Sequence, residues 1–228
     1  PIVAVDNLHR GTWGGLTAPG APDRLTVVEG DVRDPALCTE VMTGADTVFH
    51  LAAQSNVIGA IEDTRYSFET NVAGTFNVLS AAQAAGVRCV VLASSREVYG
   101  EPDRLPVPET APLTAKNPYG ASKVAAEAYA RVFDGTAMRV VILRLANVYG
   151  PGDRGRVIPI FLDRAQRGEP LILYGGQQVI DFVPVDLVVD AFLRAAEIRP
   201  AAPINVGSGQ GTALTALADR VLALTGSQ

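Results

Sequence analysis

The sequence predicts an α/β protein, a parallel β-sheet covered by helices on both faces. Short runs rich in Val, Ile and Leu alternate with longer Ala-rich stretches of helical period along most of the chain. The runs are apolar throughout instead of alternating with polar residues, as strands buried on both faces require. Hydrophobic residues make up 48% of the 228, enough to give one large domain, or one domain with a small lobe, a substantial core.

The expected strands are Ile2 to Val5, Leu25 to Val28, Thr47 to Leu51, Cys89 to Ala93 and Arg139 to Leu145. The expected helices run from Pro35 to Met42, Thr70 to Ala85 and Pro118 to Phe133. Asp34 and Asn117 each stand just ahead of a proline, the pattern of an N-cap followed by Pro at the first helical position. After Gly150 the rhythm changes, with glycine and proline frequent from Tyr149 to Gly155. Residues 1–150 are therefore expected to carry the sheet, and 151–228 mainly a smaller lobe with segments that return to it. No internal repeat or low-complexity linker interrupts the chain.

Composition excludes several function classes. The net charge is −5 and the basic residues form no stripe, which argues against nucleic acid as a partner. No apolar run approaches the roughly 18 residues of a membrane span, and no signal peptide is expected. Cys38 and Cys89 lie far apart and in no metal-ligand spacing, so two structural thiols in a reduced cytoplasm are expected, with no metal site. The chain opens at Pro1 inside an apolar run and closes at Gln228 just past a helix-like stretch, so both ends are expected to be cut.

In an open parallel sheet, ligands bind at the carboxyl ends of the strands, so the residues there come next. Asp6 ends the first strand. In dinucleotide-binding folds an acid at the end of the second strand bonds the adenosine ribose and repels a 2′-phosphate, favouring NAD over NADP; a surface turn at Asp6-Asn7 is the competing reading. Asp31, in Glu29 to Asp34, could accept the adenine amino group or serve a turn. Small residues in Phe49 to Ala53 let the backbone approach a flat ligand; His50 reads as buried and structural, His9 as solvated. A glycine-rich phosphate loop should precede the ribose acid by about 20 residues. Gly11 to Gly15 follows it instead, and Gly207 to Gly211 reads as a tight turn into a helix near Ala213, so the first βα unit is expected to lie outside this sequence.

The strongest chemical signal is Asn117 to Lys123. Tyr119 falls in the first helical turn and Lys123 one turn further on the same face. A cation there is expected to lower the phenol's pKa, and a tyrosine so tuned can take or return a hydroxyl proton. Only Lys116 and Lys123 are lysines, against 17 arginines, so a compact ammonium at this position is a departure from the chain's own habit. The preceding strand ends in Ala93-Ser-Ser-Arg-Glu97, where Ser95 can bond the reacting oxygen.

Val5 to Leu8, Gly30 to Asp34, Phe49 to Ala53, Asn71 to Thr75, Ser94 to Gly100, Tyr119 to Lys123 and Asn147 to Gly152 occur in one order. Together they resemble the extended short-chain dehydrogenase/reductases of the nucleotide-sugar epimerase/dehydratase family, over essentially the whole chain. The resemblance implies a Rossmann-type doubly wound sheet with a small substrate-binding lobe, a homodimer, and NAD as cofactor. It implies Ser95, Tyr119 and Lys123 as catalytic residues, with Glu97 beside them. Asp6 and Asn7 would meet the adenosine ribose, and Asp31 with Val32 the adenine. Leu51, Ala52, Ala53, Gln54 and Asn71 would line the dinucleotide, with Tyr119 and Lys123 at its nicotinamide end. Asn147, Val157 and Ile158 would join Ser95 and Tyr119 around a nucleotide-sugar substrate.

Two positions depart from the family pattern. Relatives carry Arg before the Asp-Phe pair, clamping the substrate diphosphate; here it is Ile180, and Arg154 or Arg156 would have to substitute. The 4,6-dehydratases carry Asp-Glu as acid and base where this chain has Arg96-Glu97. The expected activity is therefore epimerisation through a transient 4-keto sugar. Dehydration or decarboxylation using Glu97 is the alternative, and a non-catalytic NAD-binding regulator is an alternative of another class.

Overall fold

The computed structural model describes residues 1–16, 24–135 and 137–227. Among the described residues nine strands appear: β1 Ile2–Asp6, β2 Leu25–Glu29, β3 Thr47–His50, β4 Cys89–Ser95, β5 Arg139–Leu145, β6 Asn147–Tyr149, β7 Val179–Pro184, β8 Ile204–Val206 and β9 Gly211–Ala213. Eight α-helices join them: α1 Pro35–Val41, α2 Val57–Glu62, α3 Thr64–Phe68, α4 Gly74–Ala84, α5 Pro118–Phe133, α6 Val157–Gln166, α7 Val185–Ala195 and α8 Leu214–Thr225. β3, β4, β5 and β8 form one parallel sheet in that order, and β1 pairs in parallel with β2. β6, β7 and β9 make a third sheet, in which β9 runs antiparallel to β7.

The faces of the main sheet are read from β4 and β5. Val90 and Leu92 on β4 and Ile142 on β5 pack into one core with Val78, Leu79 and Ala82 of α4 and Ala126 and Ala130 of α5. Their strand neighbours Cys89, Val91, Val141 and Leu143 point the other way and pack with Val188, Phe192 and Ala195 of α7. Successive strand residues face opposite sides, so two helical layers demand apolar residues at every position. The sheet is doubly wound. A third core, of Phe161, Ala165, Ala218 and Val221, joins α6 to α8.

Local chemistry sets the helix starts. Asp34 accepts the N–H groups of Ala36 and Leu37, and Asn117 accepts that of Gly120 at 2.8 Å, each with Pro next. The helix expected from Thr70 to Ala85 is the later part of a continuous helical run over 64–84, in which a π-helical turn, Glu69–Ala73, joins α3 to α4. The helix expected near Ala213 starts at Leu214, and the glycine-rich stretch before it also supplies β9. Gly207 has no room for a side chain there: a Cβ would meet Asp181 Oδ2 at 2.4 Å, and Asp181 accepts the main-chain N–H groups of Ser208 and Gly209. Among the described residues no helix is long and apolar enough to cross a membrane.

Candidate active site

β4 delivers Ser95 at its carboxyl end, where its hydroxyl caps a 3-10 turn, Arg96–Tyr99, by accepting the Glu97 N–H at 3.2 Å. α5 is pinned against that turn. Asn117 accepts the Gly120 N–H through Oδ1 and donates from Nδ2 to Glu97 Oε2 at 2.8 Å. Gly120 lets the helix approach closely, since a Cβ there would lie 2.5 Å from the Glu97 carbonyl oxygen. Tyr119 and Lys123 thereby share one cleft with Ser95 and Glu97, about 510 Å³ in volume.

The charge arrangement corrects one expectation. Burial holds the Tyr119 phenol above its ordinary value of 10; hydrogen bonding to Ser95 lowers it, as does the charge of Arg156, and Glu97 raises it. The net shift is upward, not the lowering expected from Lys123. The Lys123 ammonium lies over the Tyr119 ring, 5.9 Å from the centre, and donates to the Ala93 carbonyl at 2.9 Å. Burial pulls Lys123 itself from 10.5 to about 8, against the carboxylate of Glu127. His50 is buried as expected, its pKa lowered to about 3 by burial and then by the Lys123 charge, its Nε2 2.9 Å from Thr75 Oγ1.

Glu97 is held on both oxygens, by Asn117 on Oε2 and by Arg96 at 2.8 Å on Oε1. Arg96 also donates to Asn147 Oδ1 at 2.9 Å. Asn147, Val157 and Ile158 line the same cleft. Of the two arginines considered for the position of Ile180, Arg156 lines the cleft, near enough to act on Tyr119. Arg154 meets Arg10 through its carbonyl.

At the other end, Asp6 turns the chain, its Oδ1 accepting the Leu8 N–H at 2.7 Å while Leu8 sits at φ 56. Asp6 Oδ2 makes no bond among the described residues. Asn7 donates to Asp31 at 2.9 Å and to the Tyr66 hydroxyl at 3.2 Å. Burial alone would raise Asp31; hydrogen bonds from Arg33, then Asn7, outweigh it and hold the carboxyl at about 2. Val32 packs its side chain against Gly74, and its carbonyl accepts from Asn77 at 3.0 Å. Leu51 and Ala53 line the cleft. Asn71 is fully buried behind it, bonded to the main chain of Gln54 in both directions and to Ser122 Oγ, so it acts on the cleft through the 51–54 segment.

Several contributors were not picked out from the sequence. Arg10 joins the loop after β1 to Ser55 and to the Arg154 carbonyl. Tyr66 lies under Arg33, 4.8 Å from its guanidinium. Arg144 of β5 pairs with Glu127 of α5; an arginine near the end of the apolar run from Arg139 to Leu145 was the available signal.

Residues 2–207 match the NAD dependent epimerase/dehydratase family. The UDP-glucose 4-epimerase of Mycolicibacterium smegmatis is 34% identical, over 99% of this chain and 75% of its own. Among solved structures, UDP-glucose 4-epimerase from Thermotoga maritima, with UDP-glucose, superposes with a TM-score of 0.91 at 31% identity, over 99% of this chain and 75% of its own. DesIV, a dTDP-glucose 4,6-dehydratase from Streptomyces venezuelae with NAD bound, gives 0.92 at 34% identity, over 99% and 72%. The matched region takes in every residue of the cleft, and the chain belongs to the NAD dependent epimerase/dehydratase family.

Proposed function

We propose that the protein is an NAD-dependent epimerase of a nucleotide sugar, acting through a transient 4-keto intermediate. The observation that carries this is the state of Glu97: Ser95, Tyr119 and Lys123 stand in one cleft, while both oxygens of the neighbouring carboxylate are occupied by Arg96 and Asn117. An elimination or decarboxylation needs a free acid or base there. Returning a ketone to an alcohol needs, beside the hydride that reduced cofactor would supply, only the phenol's proton.

The residues present fit a dinucleotide. Asp6 offers an oxygen that is unbonded among the described residues to ribose hydroxyls, Asp31 a carboxylate to the adenine amino group, and Leu51 to Ala53 a low-profile wall. Bound NAD supplies the acceptor, and then the donor, of the hydride at the sugar carbon. Tyr119 takes the proton of the C4 hydroxyl and later returns it. Ser95 would bond the same oxygen, and Lys123 would hold the nicotinamide ribose. Arg156 takes the diphosphate in place of the family arginine absent at Ile180. Residues 1–150 form the NAD domain and 151–228 mainly the substrate lobe. Exposed apolar side chains on α2 and α5, such as Ile58 and Val132 (70% and 80% accessible), support a homodimer. The free, buried Cys38 and Cys89 support a cytoplasmic enzyme.

Glu97→Gln separates the chemistries. In an epimerase it should cost less than about tenfold in kcat, the loss of one positioning hydrogen bond. A fall of about a hundredfold or more would assign Glu97 an acid–base role and overturn epimerisation.

A further inference from the structure

α5 carries a third polar residue in register with Tyr119 and Lys123. Glu127 lies one further turn along and is fully buried. Its Oε1 accepts Ser94 Oγ at 2.6 Å and Arg144 Nε at 2.9 Å; its Oε2 accepts Arg144 Nη2 at 2.7 Å and Arg131 at 3.2 Å. The Arg144 guanidinium reaches further, donating from Nη1 to the Tyr99 hydroxyl at 2.8 Å and to the Glu109 carbonyl at 2.9 Å. Tyr99 donates in turn to Asn205 Oδ1 at 2.6 Å. One carboxylate thus ties α5 to β4 at the residue before Ser95, to β5, and to the turn that carries Glu97.

We propose that Glu127 is a positioning residue for the Ser95–Tyr119–Lys123 set, fixing through Ser94 and Arg144 the separation of Ser95 from Tyr119 and the placement of the Lys123 ammonium. The inference rests on the catalytic reading of that set. A buried ion pair is a poor source of stability, because its desolvation cost rivals its attraction and apolar residues of similar volume do as well. What an apolar pair lacks is direction. The bidentate fork and the Ser94 bond set a distance and an orientation between α5 and the end of β4.

Glu127 also faces Lys123 electrostatically. The ammonium is met by Tyr119 and Glu127 from its own helix, by the Ala93 carbonyl from β4 and by neutral His50 from β3. Arg144 stands behind Glu127 on β5, and the Arg96–Glu97 pair lines the same cleft. Burial favours the uncharged amine, and Glu127 opposes it.

The test uses the NAD-loaded enzyme with Glu127→Gln and Ser94→Ala, and Arg131→Ala as a control at the half-exposed member of the cluster. Glu127→Gln should lower kcat at least about tenfold with KM for the nucleotide sugar within about threefold. The alkaline fall of its kcat profile should move to lower pH by about half a unit or more, because Lys123 loses a carboxylate that favours its charge. Ser94→Ala should lower kcat several-fold without that pH shift, and Arg131→Ala should change neither. A second readout needs no turnover: the phenol titration of Tyr119, taken as the absorbance difference from Tyr119→Phe. Its midpoint should rise in both Glu127→Gln and Ser94→Ala, as Ser95 loses alignment. A folded Ser94→Ala protein with unchanged kcat and midpoint overturns the inference, even if Glu127→Gln fails to fold. If no nucleotide sugar is turned over, the proposed reaction fails and the phenol titration still decides the role of Glu127.

Discussion

Replacing Gly120 by alanine should damage catalysis far more than folding. The added Cβ would sit 2.5 Å from the Glu97 carbonyl oxygen and 3.1 Å from the Ala115 methyl, neither of them the end of a flexible side chain. Ordinary contact begins near 3.4 Å, so the start of α5 and the Arg96–Tyr99 turn must part by 3.4 − 2.5, about 0.9 Å. That gap lies between Tyr119 and the turn that follows Ser95. Overpacking of this kind costs about 1–3 kcal/mol, partly offset by the better helix propensity of alanine, worth up to about 1 kcal/mol. For a chain of this size the melting temperature should fall by roughly 2–8 °C. A displacement of about 1 Å between reacting groups costs on the order of a hundredfold in rate. The assay is steady-state kcat beside a melting curve, with Gly135→Ala as control, since a Cβ there meets nothing within 4 Å. A Gly120→Ala enzyme with kcat within threefold of the parent (about 0.7 kcal/mol) would refute the claim that this contact sets the catalytic geometry.

Further outcomes follow from the same cleft. Tyr119→Phe should lower kcat by at least about a hundredfold with an unchanged melting curve, because the phenol's proton is lost and its packing kept. Lys123→Met should abolish most activity yet melt higher than the parent at pH 7. The folded lysine holds its proton only up to about pH 8 and the unfolded one to 10.5, so below pH 8 the parent bears the full cost of a buried ammonium. The parent gains stability as pH rises from about 8 to 10.5, and the advantage of Lys123→Met should shrink across that window; a constant difference between the two melting temperatures would count against a buried charged lysine. The parent should bind NAD well ahead of NADP by calorimetry, and Asp6→Ala should narrow the gap; equal affinities in the parent would remove Asp6 from the ribose.

The sequence made parts of this legible because they are written locally. α5 has the bounds read from Asn117, Pro118 and the helical period after them, and β3, β4 and β5 of the main sheet fall where the β-branched runs lie. The site was legible where chemistry repeats at helical spacing, as in Tyr119 and Lys123. Glu127 continues that spacing, but its partner Arg144 comes from another strand and only the packed sheet joins them. The π-helical turn at Glu69–Ala73 has no local period to announce it, although Asn56 and Asp63, which cap α2 and α3, were readable signals. β6, β8 and β9 are three residues each, too short for a pattern, and owe their extended form to neighbouring strands. The expectation of a lowered phenol pKa failed for a three-dimensional reason: burial, which the sequence does not print, raises Tyr119 more than Ser95 and Arg156 lower it.

The central claim is oxidation and re-reduction at one sugar carbon, and isotope fate at that carbon tests it most directly. A nucleotide hexose that the enzyme turns over is prepared with deuterium at C4 and incubated with the NAD-loaded protein, and the product is analysed by NMR and mass spectrometry. The account predicts the C4 epimer with the deuterium still on C4, none in the water, and slower turnover than with the unlabelled sugar. Deuterium lost to solvent, or a product that has shed its C6 hydroxyl or carboxyl group, would contradict it.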